Sequence, residues 1–198
     1  GAKVSRVCSI ALENGLSGLE FAWGITGSIG GAVYMNAGAY GGEMKNIVKQ
    51  CTYITRSGEP ITLENKDIKF GYRSSVFHTN GGIIVSAVLS LDFGDKNEIR
   101  EKMDDLIGRR KEKQPLEFPS AGSTFKRPEG YFAGTLIEQC GLKGFSVGGA
   151  AVSEKHAGFV INKGGATCDD VLRLVDIIKQ RVFDETGVSL ECEIKMLK

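Results

Sequence analysis

Glycine is concentrated near the start of the chain, and this concentration constrains the fold more than any other feature. The 198 residues include 27 glycines, nearly double the usual share of about 7%. Ten of them lie between Gly1 and Gly42. Glycine adopts positive φ without a steric penalty, and it lets the backbone approach another segment or a ligand closely. The segment 18–44 is therefore predicted to be a series of tight turns.

The rest of the composition is that of an ordinary globular protein. A hydrophobic share of 41% with 25% charged residues excludes a wholly disordered or collagen-like chain. The 25 Lys and Arg balance the 24 Asp and Glu, so no net field favours nucleic acid or an anionic membrane. The five cysteines include no C-x-x-C pair, which argues against a disulfide framework and predicts a reducing cytoplasm. We expect neither nucleic acid nor a membrane as a partner.

Hydrophobic periodicity predicts an α+β chain. Helical spacing and capping signals predict helices at 4–14, 95–113, 133–140 and 167–187. Alternation and turn signals predict strands at 49–55, 59–63, 85–93, 150–152, 159–162 and 188–196. Before the charged helix at 95–113 the chain is rich in glycine and strands, and prolines follow that helix. This change of character predicts two domains, 1–95 and 96–198.

The loop at 24–31 (GITGSIGG) has two explanations. Successive free N–H groups in such a loop can cradle a diphosphate. Tight turns between packed strands explain the same glycines, and on composition alone they are the commoner case. The loop matches neither G-x-G-x-x-G nor the P-loop pattern.

Two polar residues stand out in predicted loops. Arg73 in FGYRSS has the chemistry to bind a carboxylate or stabilise an oxyanion, although a solvated surface arginine is commoner. Ser123, in a polar segment at 120–128, is a possible proton donor. Serines in such segments more often form turns or N-caps, and no G-x-S-x-G elbow surrounds this one.

The remaining polar residues give weaker signals. His78 and His156 form no metal-ligand spacing with each other or with the cysteines, so no metal site is predicted. Alternation places Glu193 on a solvent-facing row with Glu191 and Lys195. From the residues alone, the chain is a glycine-rich ligand-binding protein.

Five segments, in order, resemble the UDP-N-acetylenolpyruvoylglucosamine reductase family, the UDP-N-acetylmuramate dehydrogenases. They are GLEFAWGITGSIGGAVYMNAGAYGGEM, FGYRSSVF, KQPLEFPSAGSTFKRP, GTLIEQCGLKGFSVGGAAVSEKHAGFVIN and GVSLECEIKML. They cover nearly the whole chain from Gly15 onward, and their ordered combination is specific although each alone is weak. The resemblance implies the second half of a two-part FAD-binding α+β domain, followed by a smaller α+β domain that binds the UDP-sugar.

The resemblance also implies a reaction. In the family, NADPH reduces FAD, and the reduced flavin then gives a hydride to C3 of UDP-N-acetylglucosamine enolpyruvate. The product is UDP-N-acetylmuramate, a peptidoglycan precursor made in the cytoplasm. Three catalytic residues are implied: Arg73 binds the carboxylate, Ser123 protonates C2, and Glu193 assists the enolic intermediate.

Further residues are implied as ligand contacts by the same resemblance. The implied cofactor contacts are Gly24, Gly27, Ser28, Gly30, Gly31, Asn36, Ala37, Gly38 and Ile84. The implied substrate contacts are Tyr72, Lys113, Gly122, Lys126, Arg127 and His156. No metal ligand is implied.

The chain departs from the family pattern in several places. Thr26 and Cys192 stand where proline is common, and the interval from Arg73 to Ser123 is too short for the loop with a substrate-covering tyrosine. This interval indicates the short, second subclass. Nothing matches the family's N-terminal flavin subdomain and the chain has no initiator Met, so we expect a fragment that binds FAD weakly. A different flavoprotein of the same architecture and a non-catalytic nucleotide-sugar-binding module are the alternatives.

Overall fold

A computed structural model describes residues 1–196 of the chain. The chain forms two compact units, Gly1–Arg110 (unit 1) and a second that begins at Lys111 (unit 2). Both combine helices with small antiparallel sheets, which is the predicted α+β class. In the described part of the chain, no helix is long and apolar enough to cross a membrane.

Unit 1 combines helices of different lengths with three small sheets. Its helices are α1 (Val4–Glu13), α2 (Ile29–Tyr34), α3 (Phe77–Asn80) and α4 (Lys96–Lys113), the last extending past the end of the unit. Its strands are β1 (Leu16–Ser17), β2 (Gly38–Ala39), β3 (Gly42–Glu43), β4 (Val48–Ile54), β5 (Pro60–Glu64), β6 (Ile83–Leu89) and β7 (Asp92–Phe93). The largest sheet has the order β5-β4-β6, and β1–β7 and β2–β3 form antiparallel pairs.

The predicted strand at 85–93 is interrupted in the structure. Thr52 pairs with Ser86 while the next residue, Tyr53, pairs with Ile84. Val85 is therefore left over as a β-bulge, and its side chain is 56% exposed. The bulge shifts the alternation, so Val85 leaves the apolar face, whereas Ala87, Leu89 and Leu91 still pack against the core of unit 1.

Helix α4 explains where unit 1 ends. Ile99 and Met103 of this helix are buried in the same apolar core as α1 and β4. The compact units consequently divide at 110/111, whereas the predicted domains divide at 95/96. The division by function into 1–95 and 96–198 stays a prediction.

Unit 2 is a four-stranded antiparallel sheet packed against two helices. Its strands, in the spatial order β8-β11-β10-β9, are β8 (Ser120–Ser123), β9 (Ser146–Val147), β10 (Ala150–Val152) and β11 (Phe159–Asn162). Its helices are α5 (Ala133–Gln139) and α6 (Cys168–Thr186). As predicted, Thr167 and Asp170 form a capping box at the start of α6, and Gly187 ends it with φ of 72°.

The predicted strand at 188–196 is mostly extended chain without a ladder. A single bridge joins Cys192 to Phe125, and Met196 at the end of the segment is 59% exposed. The alternating pattern alone does not produce a strand here, because a strand also needs a partner with free N–H and C=O groups along its length.

Candidate functional site

The glycine loop leads from the 3₁₀ turn Glu20–Ala22 into α2. Gly24 and Gly27 have φ of 87° and 136°, which side chains rarely tolerate. A Cβ at Gly24 would also lie 2.7 Å from Ile107 Cδ1, so the end of that side chain would have to shift. Ser28 is the N-cap of α2, and its Oγ accepts a hydrogen bond from the Gly31 amide at 3.1 Å.

The loop has the donors that an anionic group requires. Val4 donates to the Gly27 carbonyl, and Ile29 donates to the Ala2 carbonyl, so this pairing fixes one side of the loop. Within residues 1–196, the amides of Thr26, Gly27 and Ser28 donate no hydrogen bond. A Cβ at Gly27 would meet no atom within 4 Å. Three consecutive amides without a hydrogen-bond acceptor in the described part of the chain, with open space at Gly27, fit a diphosphate such as that of FAD.

Two further predicted cofactor contacts, Ile84 and Ala37, lie close to this loop and to α2. A Cβ on Gly30 would lie 3.6 Å from Ile84 Cγ2, so the first turn of α2 packs on β6 through these two residues. Ala37, just beyond the helix, donates its amide to the Ala32 carbonyl at 2.8 Å. The predicted cofactor contacts between Gly24 and Gly38 thus lie in one chain segment, which consists of α2 and the residues on either side of it.

Arg73 lies in a tight turn, not on an open solvated loop. Gly71 and Ser74 exchange backbone hydrogen bonds of 3.0 and 3.3 Å, which leaves Tyr72 and Arg73 as the two residues at the tip. Arg73 Nη2 donates to the Gly38 carbonyl at 3.2 Å, and the guanidinium lies 5.2 Å from the centre of the Tyr72 ring. The tip therefore presents a cation beside a half-exposed aromatic ring (Tyr72 is 53% exposed).

The backbone of Arg73 is itself unusual. Its φ of 51° lies in the left-handed region, which costs a residue with a side chain about 1–2 kcal/mol. Within residues 1–196, the non-glycine residues with positive φ are Asn36, Tyr40, Lys69 and Arg73. All four lie in unit 1 between positions 36 and 73, and such strain is typical of functional sites.

In unit 2, Ser123 ends strand β8, so the segment predicted as a polar loop begins as a strand. Ser123 pairs with Phe159 of β11 and is exposed. The preceding Gly122, a predicted substrate contact, has φ of 86°. The following Thr124 is 2% exposed, and its Oγ1 accepts a hydrogen bond from the Val160 amide at 2.9 Å.

The chain segment that carries Glu193 pairs with the residues that follow Ser123. Glu193 donates its amide to the Thr124 carbonyl at 2.8 Å, and Lys126 donates its amide to the Glu191 carbonyl at 2.8 Å. Glu193 is half-buried whereas Glu191 is exposed. The predicted solvent-facing row therefore holds for Glu191 and Lys195 and only in part for Glu193.

Lys126 and Arg127, both predicted substrate contacts, have well-defined partners. The Lys126 ammonium forms an ion pair with Glu191. The Arg127 guanidinium lies 3.9 Å from the centre of the Phe132 ring, and its Nε donates to the Tyr131 carbonyl at 3.3 Å. Lys113, at the end of α4, is exposed. The three cations have the chemistry to bind phosphate oxygens.

His156 is held in one orientation. Its Nδ1 accepts a hydrogen bond from the Gly158 amide at 3.0 Å, so the neutral ring carries its proton on Nε2. A Cβ on Gly134 or Gly158 would lie 3.1 or 3.0 Å from His156 Cε1, so these glycines make room for the ring. Burial is the largest influence on its pKa and lowers it.

Thr124 is the residue that sequence reasoning missed. It connects three elements, because its amide donates to the Gly158 carbonyl, its hydroxyl binds the Val160 amide, and its carbonyl accepts from Glu193. Glu193 is thus hydrogen-bonded to the residue directly after Ser123, which brings the main chains of Ser123 and Glu193 close together. In the sequence Thr124 is only a small polar residue between Ser123 and Phe125. Its role depends on Gly158, Val160 and Glu193, which are far along the chain, so the sequence contains no specific signal for it.

Comparisons with known proteins agree with both halves of this description. Residues 1–64 match the FAD binding domain family. Residues 114–197 match the family described as UDP-N-acetylenolpyruvoylglucosamine reductase, C-terminal domain. Together they define a flavoprotein class in which an FAD-binding domain precedes a dedicated C-terminal domain.

Individual relatives make the assignment specific. The UDP-N-acetylenolpyruvoylglucosamine reductases of Clostridium perfringens and Caldanaerobacter subterraneus are 53% and 51% identical over 197 residues, all of this chain. The crystal structure of UDP-N-acetylenolpyruvylglucosamine reductase (MurB) from Thermus caldophilus matches with a TM-score of 0.86 and 37% identity, covering 98% of this chain and 69% of that one. The chain belongs to the UDP-N-acetylenolpyruvoylglucosamine reductase family. It spans 65% of the length of the two curated relatives.

Proposed function

We propose that the protein reduces the enolpyruvyl ether of UDP-N-acetylglucosamine to a lactyl ether, with FAD as its cofactor and NADPH as the reductant, in the cytoplasm. The family assignment supports this reaction. The observation that carries it is the pairing of the Glu193 segment with Thr124, because it brings the main chain of a carboxyl residue next to the main chain that carries Ser123. The glycine loop supplies the amides that fit the flavin diphosphate.

The residues divide the chemistry between them. Reduction adds a hydride at C3 of the enolpyruvyl group and a proton at C2, and NADPH is oxidised to NADP⁺. FAD, when bound, supplies the hydride-transfer chemistry from NADPH to C3. Addition at C3 leaves an electron pair at C2 that is delocalised into the carboxylate. In this proposal Arg73 binds that carboxylate and stabilises the developing charge.

Protonation at C2 is assigned to Ser123. A serine hydroxyl is a weak acid, so it needs a neighbour that polarises it or returns a proton to it. Glu193 is proposed for that role, since its main chain pairs one residue away from Ser123. Tyr72, Gly122, Lys126, Arg127, Lys113 and His156 are proposed to bind the UDP-sugar.

The direct test is product formation by the FAD-loaded protein. With NADPH and UDP-N-acetylglucosamine enolpyruvate, mass spectrometry should detect the lactyl ether, which contains two more hydrogens than the substrate. UDP-N-acetylglucosamine, which lacks the enolpyruvyl group, should not stimulate NADPH oxidation. Ligand binding without any reduced product would instead indicate a non-catalytic nucleotide-sugar-binding protein.

A further inference from the structure

Asn36 occupies a position that normally selects glycine. It follows the C-cap of α2 with φ of 44°. Its amide donates to the Val33 carbonyl at 3.1 Å, and the amide of Ala37 donates to the Ala32 carbonyl at 2.8 Å. This is the Schellman arrangement, in which glycine is the usual left-handed residue. Asparagine also tolerates this conformation, and unlike glycine it adds a side chain that can make further contacts.

The side chain of Asn36 is buried and fully engaged. It is 1% exposed, and its Nδ2 donates to Glu43 Oε2 at 2.6 Å and to the Gly71 carbonyl at 2.9 Å. Its Oδ1 accepts from the Lys45 amide at 2.9 Å. Both amide hydrogens are therefore used. A buried amide with all three contacts satisfied is held in one orientation.

One of these contacts leads directly to Arg73. The Gly71 carbonyl belongs to the first residue of the turn whose tip is Tyr72 and Arg73. At the other end, Arg73 Nη2 donates to the carbonyl of Gly38, two residues after Asn36. The turn and the guanidinium are thus both attached to the segment 36–38. Displacement of that attachment would move the cation.

We infer that Asn36 is a positioning residue for Arg73, and that its side chain serves this purpose in place of the predicted contact with the cofactor. Its amide holds the Gly71 carbonyl, and the turn then places the guanidinium where a carboxylate can bind. The inference rests on the proposed function, in which Arg73 binds the enolpyruvyl carboxylate.

A pair of variants separates this role from simple stabilisation. Asn36→Asp preserves the shape but places a carboxylate against two acceptors, the Glu43 carboxylate and the Gly71 carbonyl. In the double variant Asn36→Asp/Glu43→Gln, the new amide at position 43 can donate to the new carboxylate, so that contact is restored. The Gly71 carbonyl still lacks the side-chain donor from position 36 and retains only the Ser74 amide of its own turn. The double variant is therefore expected to recover stability without recovering the position of Arg73.

The measurement compares two ligands on the FAD-loaded protein by titration calorimetry. UDP-N-acetylglucosamine enolpyruvate has the carboxylate, and UDP-N-acetylglucosamine lacks it. The double variant should regain most of the melting temperature lost in Asn36→Asp. It should still bind the enolpyruvyl ligand at least about tenfold more weakly than wild type, since small displacements of positioned groups have effects of up to about 10²-fold. Its affinity for UDP-N-acetylglucosamine should be unchanged.

Arg73→Ala provides the second arm. If Asn36 acts through Arg73, the double substitution should weaken enolpyruvyl binding no further in the Arg73→Ala background. Full recovery of enolpyruvyl affinity in the double variant, equal losses for both ligands, or an additional loss in the Arg73→Ala background would each overturn the inference. If the wild-type protein itself does not favour the carboxylate-bearing ligand, the proposed function fails, and the inference fails with it.

Discussion

Arg73 and Ser123 are held in place by different means. Arg73 has a left-handed backbone at the tip of a turn, and the turn is anchored by the buried side chain of Asn36. Ser123 ends strand β8 directly after the left-handed Gly122, and the main chain around it is fixed mostly by backbone hydrogen bonds to β11 and to the Glu193 segment. The candidate site in unit 1 therefore depends on particular side chains, whereas the one in unit 2 depends on the sheet.

The largest expected effect tests Ser123 in its strand. Ser123→Ala should slow oxidation of the reduced protein by the enolpyruvyl substrate by about 10²-fold or more, the scale for loss of a general acid. Reduction by NADPH should be nearly unchanged, because that step needs no proton at C2. Stopped-flow absorbance of the flavin measures both steps. If both slow equally, the substitution has disturbed the protein generally and Ser123 is not the specific acid.

The second prediction distinguishes the two closing glutamates. Glu193→Gln should slow the same oxidative step by about tenfold, less than loss of the acid itself, because glutamine preserves size but neither carries the charge nor supplies a carboxylic proton. Glu191→Gln is the matched control. Glu191 is exposed and paired with Lys126, so this change should have little effect on single-turnover rates. A reversed order would refute the assignment of Glu193.

The third prediction compares backbone strain at the two sites. At position 73, glycine should give a protein about 1 kcal/mol more stable than alanine does, because both remove the guanidinium contacts but only glycine relieves the left-handed conformation. At position 123 the order should reverse, since glycine in a strand costs about 0.5–1 kcal/mol relative to alanine. Urea unfolding of the four variants measures both differences. If glycine is more stable than alanine at both positions, or less stable at both, the proposed difference in backbone strain between Arg73 and Ser123 is wrong.

The smallest expected effect concerns His156, whose side chain is expected to make the stability of unit 2 depend on pH. Burial lowers its pKa in the folded protein below the usual 6.5, so the unfolded chain binds its proton more readily. The stability from the neutral ring is fully present above pH 6.5 and is lost as the pH falls from there through the lowered folded pKa. Melting temperatures across this range should fall less in His156→Gln than in wild type. Parallel curves would show that His156 does not cause the dependence.

Local signals in the sequence predicted much of the secondary structure. Helix α6 follows from a capping box and an apolar stripe within one stretch of chain, and Gly187 ends it as expected. The hairpin of β4 and β5 follows from turn residues between two alternating runs. These features are determined by residues only a few positions apart, so the chain itself contains the information.

Local signals of this kind did not identify the candidate site residues. Arg73, Ser123 and Glu193 were selected because their segments resemble a known family, and their catalytic roles stay predictions. Composition and periodicity alone favoured a surface arginine, a turn serine and a solvent-facing glutamate. The structure shows instead a strained turn, the end of a strand and a half-buried position.

The sequence by itself determined the α+β class, most helix ends and the glycines that permit positive φ, because each depends on neighbouring residues. Only the tertiary structure decided that Val85 is a bulge, that the Glu193 segment pairs with Thr124, and that Asn36 holds Gly71. Asn36 and Gly71 are 35 positions apart in the chain. Contacts over such separations arise when the folded chain brings distant donors and acceptors together and excludes water from them, so each buried polar group must find a partner there.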